Sequence, residues 1–158
     1  MAKKSGAGRT DSASRVILAT PKALFRAFVD PEMLASWRAP EGMTARIERF
    51  NPTIGGGYRI LLTYAGTGPA VGKTSPREDI ADVRFRELDP EHRIVEEVQF
   101  HSSDPGFAAP MTITTLFEPV RDGTKVTFTA TDVPAAIDAK DHQAGMASSL
   151  RNLALLTE

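Results

Sequence analysis

Apolar residues recur along this chain at two spacings, and each change of spacing marks a new element. Ser14-Arg15-Val16-Ile17-Leu18-Ala19-Thr20 is β-branched and apolar, which predicts a strand. Thr20 then reads as an N-cap and Pro21 as the first helical residue. Leu24, Phe25 and Phe28 lie at helical spacing and predict a short helix. Asp30-Pro31 ends it and starts another, because a residue before proline avoids the α region. Met33, Leu34 and Trp37 form the apolar face of this second helix, and Pro40-Glu41-Gly42 closes it.

From Met43 the period becomes two. Met43 to Phe50 alternates until near its end, and Asn51 to Gly57 is a glycine-rich loop. Tyr58, Ile60, Leu62 and Tyr64 then share one face of a strand. Gly66 to Pro76 is a Gly/Pro-rich connection. Ile80 to Leu88 turns Val83 and Phe85 inward, with Asp82, Arg84 and Arg86 outward. Asp89-Pro90-Glu91-His92 predicts a tight turn, and Arg93 to His101 a strand with Ile94, Val98 and Phe100 on one face. Ser102 to Pro110 is a second loop. Met111, Ile113, Thr115 and Phe117 alternate against Thr112, Thr114 and Glu118. Arg121-Asp122-Gly123-Thr124 reads as a hairpin turn, after which Val126, Phe128 and Ala130 complete the inward set. Helical spacing returns from Ile137 or Asp138 to Thr157, with Met146, Leu150 and Leu153 as the apolar stripe.

Hairpin-joined, alternating strands predict an antiparallel sheet with one wet face. The other face needs a cover, and the only long helix is the C-terminal one. The predicted fold is α+β and helix-grip: a curved antiparallel sheet wrapped around a long C-terminal helix, with two short helices after the first strand. Residues 1–13 read as a flexible polar tail and residues 14–158 as a single domain.

Composition narrows the function. The 158 residues suit one domain with a sizeable core. A net charge of −1 gives no bulk pull toward nucleic acid or an anionic membrane, so neither partner is expected. The lack of cysteine excludes disulfides, thiolate metal sites and a cysteine nucleophile, and it fits a reducing compartment. Met1 to Ser12 lacks the apolar stretch of a secretory signal, and no window approaches a membrane span. The expected location is the cytoplasm. Pro52 disqualifies Asn51-Pro52-Thr53 as a glycosylation acceptor.

The order of these signals resembles the START-like superfamily, also called SRPBCC, with the birch-pollen-allergen-like fold. Within it the chain is similar to the family of the activator of the heat-shock protein 90 ATPase, C-terminal domain type. The residues that carry the resemblance are Pro21 with Leu24-Phe25 and Phe28, Asp30-Pro31, Trp37, Phe50-Asn51-Pro52 and Gly55-Gly56-Gly57-Tyr58-Arg59. They continue with Leu88-Asp89-Pro90-Glu91-His92-Arg93-Ile94-Val95, Gly123-Thr124-Lys125-Val126-Thr127 and the stretch from Gly145 to Leu153. Met146 departs from the tryptophan that the family often carries there, but it keeps the position apolar. The chain carries no counterpart of the eukaryotic co-chaperone's separate N-terminal domain, so the resemblance does not imply chaperone activation. It implies the superfamily's shared theme, a cavity for hydrophobic small molecules or lipids.

Candidate chemistry is sparse. Gly66 to Thr74 looks like a phosphate-binding loop, but Thr67 stands at the required glycine position and Pro76 prevents the following helix. Nucleotide binding is therefore not expected. His92, His101 and His142 share no metal-ligand spacing, so no metal or cofactor is expected. His101 and Asp104 form the only local His-acid pair and read as a solvated loop edge. Glu96 has the parity of Ile94 and Val98, so it would be an inward acid, base or ligand anchor. The alternative, which the sequence favours modestly, is a β-bulge that turns Val95 inward and Glu96 to water.

The expected ligand-binding set is Trp37, Tyr58, Ile60, Leu62, Tyr64, Phe85, Glu96, Val98, Phe100, Met111, Ile113, Phe117, Met146 and Leu150. Tyr58 and Tyr64 carry hydroxyls that need partners if buried. No catalytic set is expected. The expected function is non-catalytic binding of a hydrophobic small molecule or lipid, with the Gly66–Pro76 and Ser102–Pro110 loops gating it. Two alternatives stay open: a polyketide cyclase or dehydratase-like enzyme on the same fold, and a protein-interaction module. Oligomeric state is also open.

Overall fold

Each helix begins where a short polar side chain can satisfy its free N–H groups. The computed structural model describes residues 8–66 and 72–158; residues 1–7 and 67–71 lie outside it, and with them part of the expected tail and of the Gly66–Pro76 gate. Chain order is β1 (Arg9–Ile17), α1 (Pro21–Val29), α2 (Pro31–Arg38), β2 (Met43–Asn51) and β3 (Gly57–Tyr64). Then follow β4 (Glu78–Asp89), β5 (Arg93–Phe100), a 3-10 turn (Pro105–Phe107), β6 (Met111–Val120), β7 (Gly123–Val133) and α3 (Ala139–Thr157). Thr20 Oγ1 accepts from the Ala23 N–H, capping α1 as expected. Asp30 Oδ1 accepts from the N–H groups of Glu32 and Met33, so one residue ends α1 and starts α2. Asp138 caps α3 by accepting from the Asp141 N–H.

The strands form one seven-stranded antiparallel sheet in the order β1-β7-β6-β5-β4-β3-β2. The first strand departs from expectation at both ends. It begins at Arg9, inside the segment read as a tail, and stops at Ile17. Arg9 pairs with Val133 and Ala13 with Phe128, so backbone bonds hold a segment whose side chains are mostly polar. Arg9 Nη2 also donates to the Ile137 carbonyl, while Asp11 accepts from Arg9 and lies 2.8 Å from His142 Nδ1. An edge strand with one wet face needs few apolar residues, which is why composition hid it.

The concave face carries the core. Phe28 packs against Trp37 at 4.7 Å between ring centroids and edge-on to Phe117 at 5.6 Å. Trp37 stacks on Phe128 at 6.2 Å, and its Nε1–H donates to the Ala27 carbonyl at 2.9 Å. Leu24, Leu34, Leu150 and Leu153 close this end with no solvent exposure worth noting. A second aromatic group, Phe50, Tyr58 and Phe85, packs where β2, β3 and β4 meet. None of the described helices is long and apolar enough to cross a membrane.

The convex face is charged. Arg59 Nε donates to Asp82 Oδ1 at 2.8 Å, and His101 Nε2 lies 2.7 Å from Asp82 Oδ2. His101 therefore pairs with Asp82 and not with Asp104, whose carboxylate caps the 3-10 turn through the Gly106 N–H. The Arg59 hydrogen bond holds the Asp82 carboxyl down to about 2; burial opposes this and His101 adds to it.

Gly57 pairs with Arg84, and a Cβ on it would lie 1.8 Å from the Val83 carbonyl oxygen. Gly57→Ala should therefore cost about 2 kcal/mol or more, read from urea denaturation; an unchanged midpoint would refute the close approach. Asp82 has its pKa lowered on folding, so its contribution is present above pH 3.8 and fades as pH falls toward about 2. In that window Asp82→Asn should lose less stability than the parent does. Acid unfolding followed by circular dichroism would show it, and superimposable acid limbs would contradict it.

Candidate functional site

One helix cannot cover a seven-stranded sheet. The aromatic cluster under α1 and α2 fills one end of the concave face. Toward the other end a pocket of about 530 Å³ remains, walled by strands on one side and by Gly145, Met146 and Ser149 of α3 on the other. Such a volume lies in the usual range for small-molecule sites, ~300–1,000 Å³.

Strand alternation places most of the expected residues here. Tyr58, Ile60, Leu62 and Tyr64 of β3, Val98 and Phe100 of β5, Met111 and Ile113 of β6, and Met146 of α3 all line the pocket. Trp37, Phe85, Phe117 and Leu150 were expected to line it and do not; they are packed into the filled core. Phe117 faces inward but meets Phe28 of α1, Phe85 packs against Phe50 and Tyr58, and Trp37 and Leu150, on the helices themselves, turn into the same core. Phe107, from the Ser102–Pro110 loop, also contributes to the wall.

Glu96 corrects the reading that turned it to water. It faces inward and is fully buried. A bulge does exist, but on the neighbouring strand: β4 shifts register between Phe85 and Glu87, so β5 keeps its alternation. Tyr58 donates its hydroxyl to Glu96 Oε2 at 2.6 Å, and Arg38 Nη2 donates to Oε1 at 3.1 Å. Glu96 itself stands behind the wall that Arg38 and Tyr58 present to the pocket.

Arg38 is the residue that sequence reasoning missed at this end. Its guanidinium carbon lies 5.2 Å from the Trp37 ring centre, and Ser149 donates to its carbonyl at 2.9 Å. Burial works against its charge, but Glu96 more than offsets that and holds it protonated beyond its ordinary range. Burial also pushes the Tyr58 phenol well up; Arg38 pulls it back and Glu96 adds to the rise. Tyr58 thus stays a neutral donor. The available signal was Glu96 itself, since an inward carboxylate requires a buried cation, and Arg38 ends the helix that covers it.

The opposite end repeats the motif with different company. Tyr64 lies six residues along β3, about 20 Å of strand. Its hydroxyl donates to Asp79 Oδ2 at 2.8 Å. Asp79 also accepts from the Lys73 backbone N–H at 2.6 Å and from Lys73 Nζ at 2.9 Å. Burial, then the Asp79 hydrogen bond, raises the Tyr64 pKa. Asp138, Asp141 and His142 complete this rim. Lys73 and Asp79 were missed because they sit in or beside the irregular connection. Among the described residues no three His, Asp or Glu side chains converge as metal ligands.

The Arg38–Glu96 pair can be tested directly. Glu96→Gln leaves a buried guanidinium unmatched and should cost about 3 kcal/mol. Adding Arg38→Met should return much of that loss, because the double variant buries no lone charge. Equal losses in the single and double variants, by urea titration, would show that the two side chains are not coupled.

Relatives share this architecture. A solved protein of Chromobacterium violaceum is 29% identical, with 94% of this chain and 96% of that chain covered and a TM-score of 0.81. One from Rhizobium loti is 26% identical over 94% and 96% of the two chains, with a TM-score of 0.72. An AHSA1-like protein of Aeromonas hydrophila, 17% identical over 94% and 91% of the chains, shares the fold at a TM-score of 0.70. No curated protein matches the sequence. Residues 18–158 match the family described as Activator of Hsp90 ATPase homolog 1-like protein, and the chain belongs to that family, within the START-like superfamily.

Proposed function

We propose that this protein binds a hydrophobic small molecule or lipid between its sheet and its C-terminal helix, without catalysing a reaction. The observation that carries this reading is the pocket of about 530 Å³ between strand and helix side chains that are mostly apolar. Apolar surface supplies affinity there, and the polar groups at the two ends orient the ligand. A cysteine-free chain suits the reducing cytoplasm, where the proposal places it.

Buried Glu96 favours a second reading, an enzyme of the polyketide cyclase or dehydratase type. Two observations weigh against it. Both Glu96 oxygens already accept hydrogen bonds, from Tyr58 and Arg38, and His101 lies on the convex face. Neither group is a free base beside the pocket.

Ala81 supplies the test. It lines the pocket and pairs with Ile60 and Phe100 on the strands either side. Ala81→Phe should fill space that is now empty. Binding of Nile red, a neutral apolar dye, should weaken at least about tenfold, or ~1.4 kcal/mol. Thermal stability should hold or rise. Undiminished dye binding by a folded Ala81→Phe protein would refute the pocket as the site. Mass spectrometry after organic extraction of the purified protein would identify any ligand carried through purification.

A further inference from the structure

The two ends of the pocket restrict what it can hold, and the restriction rests on the binding role proposed above. At the closed end the Arg38 guanidinium sends one N–H from each Nη to Glu96. Its Nε donates to no described residue, and it is not among the described polar atoms that are buried without a partner. Arg38 lines the pocket, whereas Glu96 behind it is only 1% exposed against 14% for Arg38. A guanidinium has five N–H donors and no acceptor, so the face turned to the pocket offers donors alone. The contact with Trp37, 5.2 Å from the guanidinium carbon to the ring centre, involves no N–H hydrogen bond.

We infer that the ligand is an amphiphile whose buried end carries an uncharged hydrogen-bond acceptor, such as a ketone, ester or amide, and that anions such as fatty acids are rejected. Arg38 is already matched by Glu96. A ligand carboxylate would bring a second anion beside Glu96 and lose its hydration with no counter-charge of its own. A carbonyl oxygen takes the same N–H groups without that penalty, in a charge-assisted hydrogen bond. The rim selects in the same direction. Asp79, Asp138 and Asp141 line it, and its lysine, Lys73, is bound to Asp79. An anionic head group at that end meets excess negative charge. Both orientations of a fatty acid are therefore disfavoured, by separate groups.

The experiment compares three probes of twelve carbons each: dodecane, methyl decyl ketone and dodecanoate. Each displaces Nile red from the wild-type protein at neutral pH. The ketone should bind at least about tenfold more tightly than dodecanoate and more tightly than dodecane, a tenfold ratio being one decade in Kd. A carbon-13 label at the carbonyl of the bound ketone should resonate downfield of the same ketone in hexane, as hydrogen bonding to Arg38 requires. In Arg38→Met with Glu96→Gln, dodecane should bind as before, while the ketone's advantage and its downfield shift are lost. Dodecanoate binding as tightly as the ketone would overturn the inference and leave the apolar carrier standing. So would a ketone that gains nothing over dodecane, or whose bound carbonyl resonates in the wild-type protein as it does in hexane, a result that does not depend on the variant folding. If no probe displaces the dye at all, the carrier reading itself falls, and this inference with it.

Discussion

A single helix facing a curved sheet of seven strands is the constraint on which the rest depends. Its width leaves concave surface uncovered, so something else must fill the space or it stays open. At one end α1 and α2 fill it. Trp37 is the fixed point there: its ring touches Phe28 and Phe128, and its indole N–H donates to the Ala27 carbonyl. Asn152 of α3 donates to the carbonyl of Ala39, just past α2. The three helices are thereby tied at the filled end, and the remaining space lies toward the start of α3.

The pocket's polarity comes from one strand. Alternation along β3 sends Tyr58, Ile60, Leu62 and Tyr64 to the same side, so a tyrosine stands at each end of an apolar run. Each hydroxyl donates to a carboxylate. What differs is the cation that matches it. Arg38 is planar, lies over the Trp37 ring and is held by two hydrogen bonds. Lys73 is a point charge on a flexible stem at a more open rim. The closed end is consequently rigid and presents donors, while the rim is adaptable and acidic.

Family membership accounts for the architecture and leaves the chemistry to individual side chains. A shared fold hosts many functions, and the site decides among them. In this chain the features that could discriminate between ligands are a few buried polar groups: Arg38, Glu96 and Tyr58 at one end, Asp79, Lys73 and Tyr64 at the other.

Local signals were legible from the sequence because their physics is local. Thr20-Pro21, Asp30-Pro31 and Asp138 start helices through contacts within a few residues, and Val120 pairs with Gly123 around the expected hairpin turn. Period-two alternation likewise assigned Tyr58, Ile60, Leu62 and Tyr64 to the pocket side. Three things depended on partners far away in the chain. Arg9 to Ala13 became strand through pairing with β7, which polar side chains do not announce. Glu96 stayed inward because the bulge formed on β4 and because Arg38, 58 residues earlier, matches its charge. Trp37, Phe117 and Leu150 became core and not pocket wall because that is where the helices land. Glu96 aside, the sequence by itself determined which strand residues face the concave side, since parity belongs to a single strand. Only the tertiary structure decided which of them meet empty space, since packing belongs to pairs of elements.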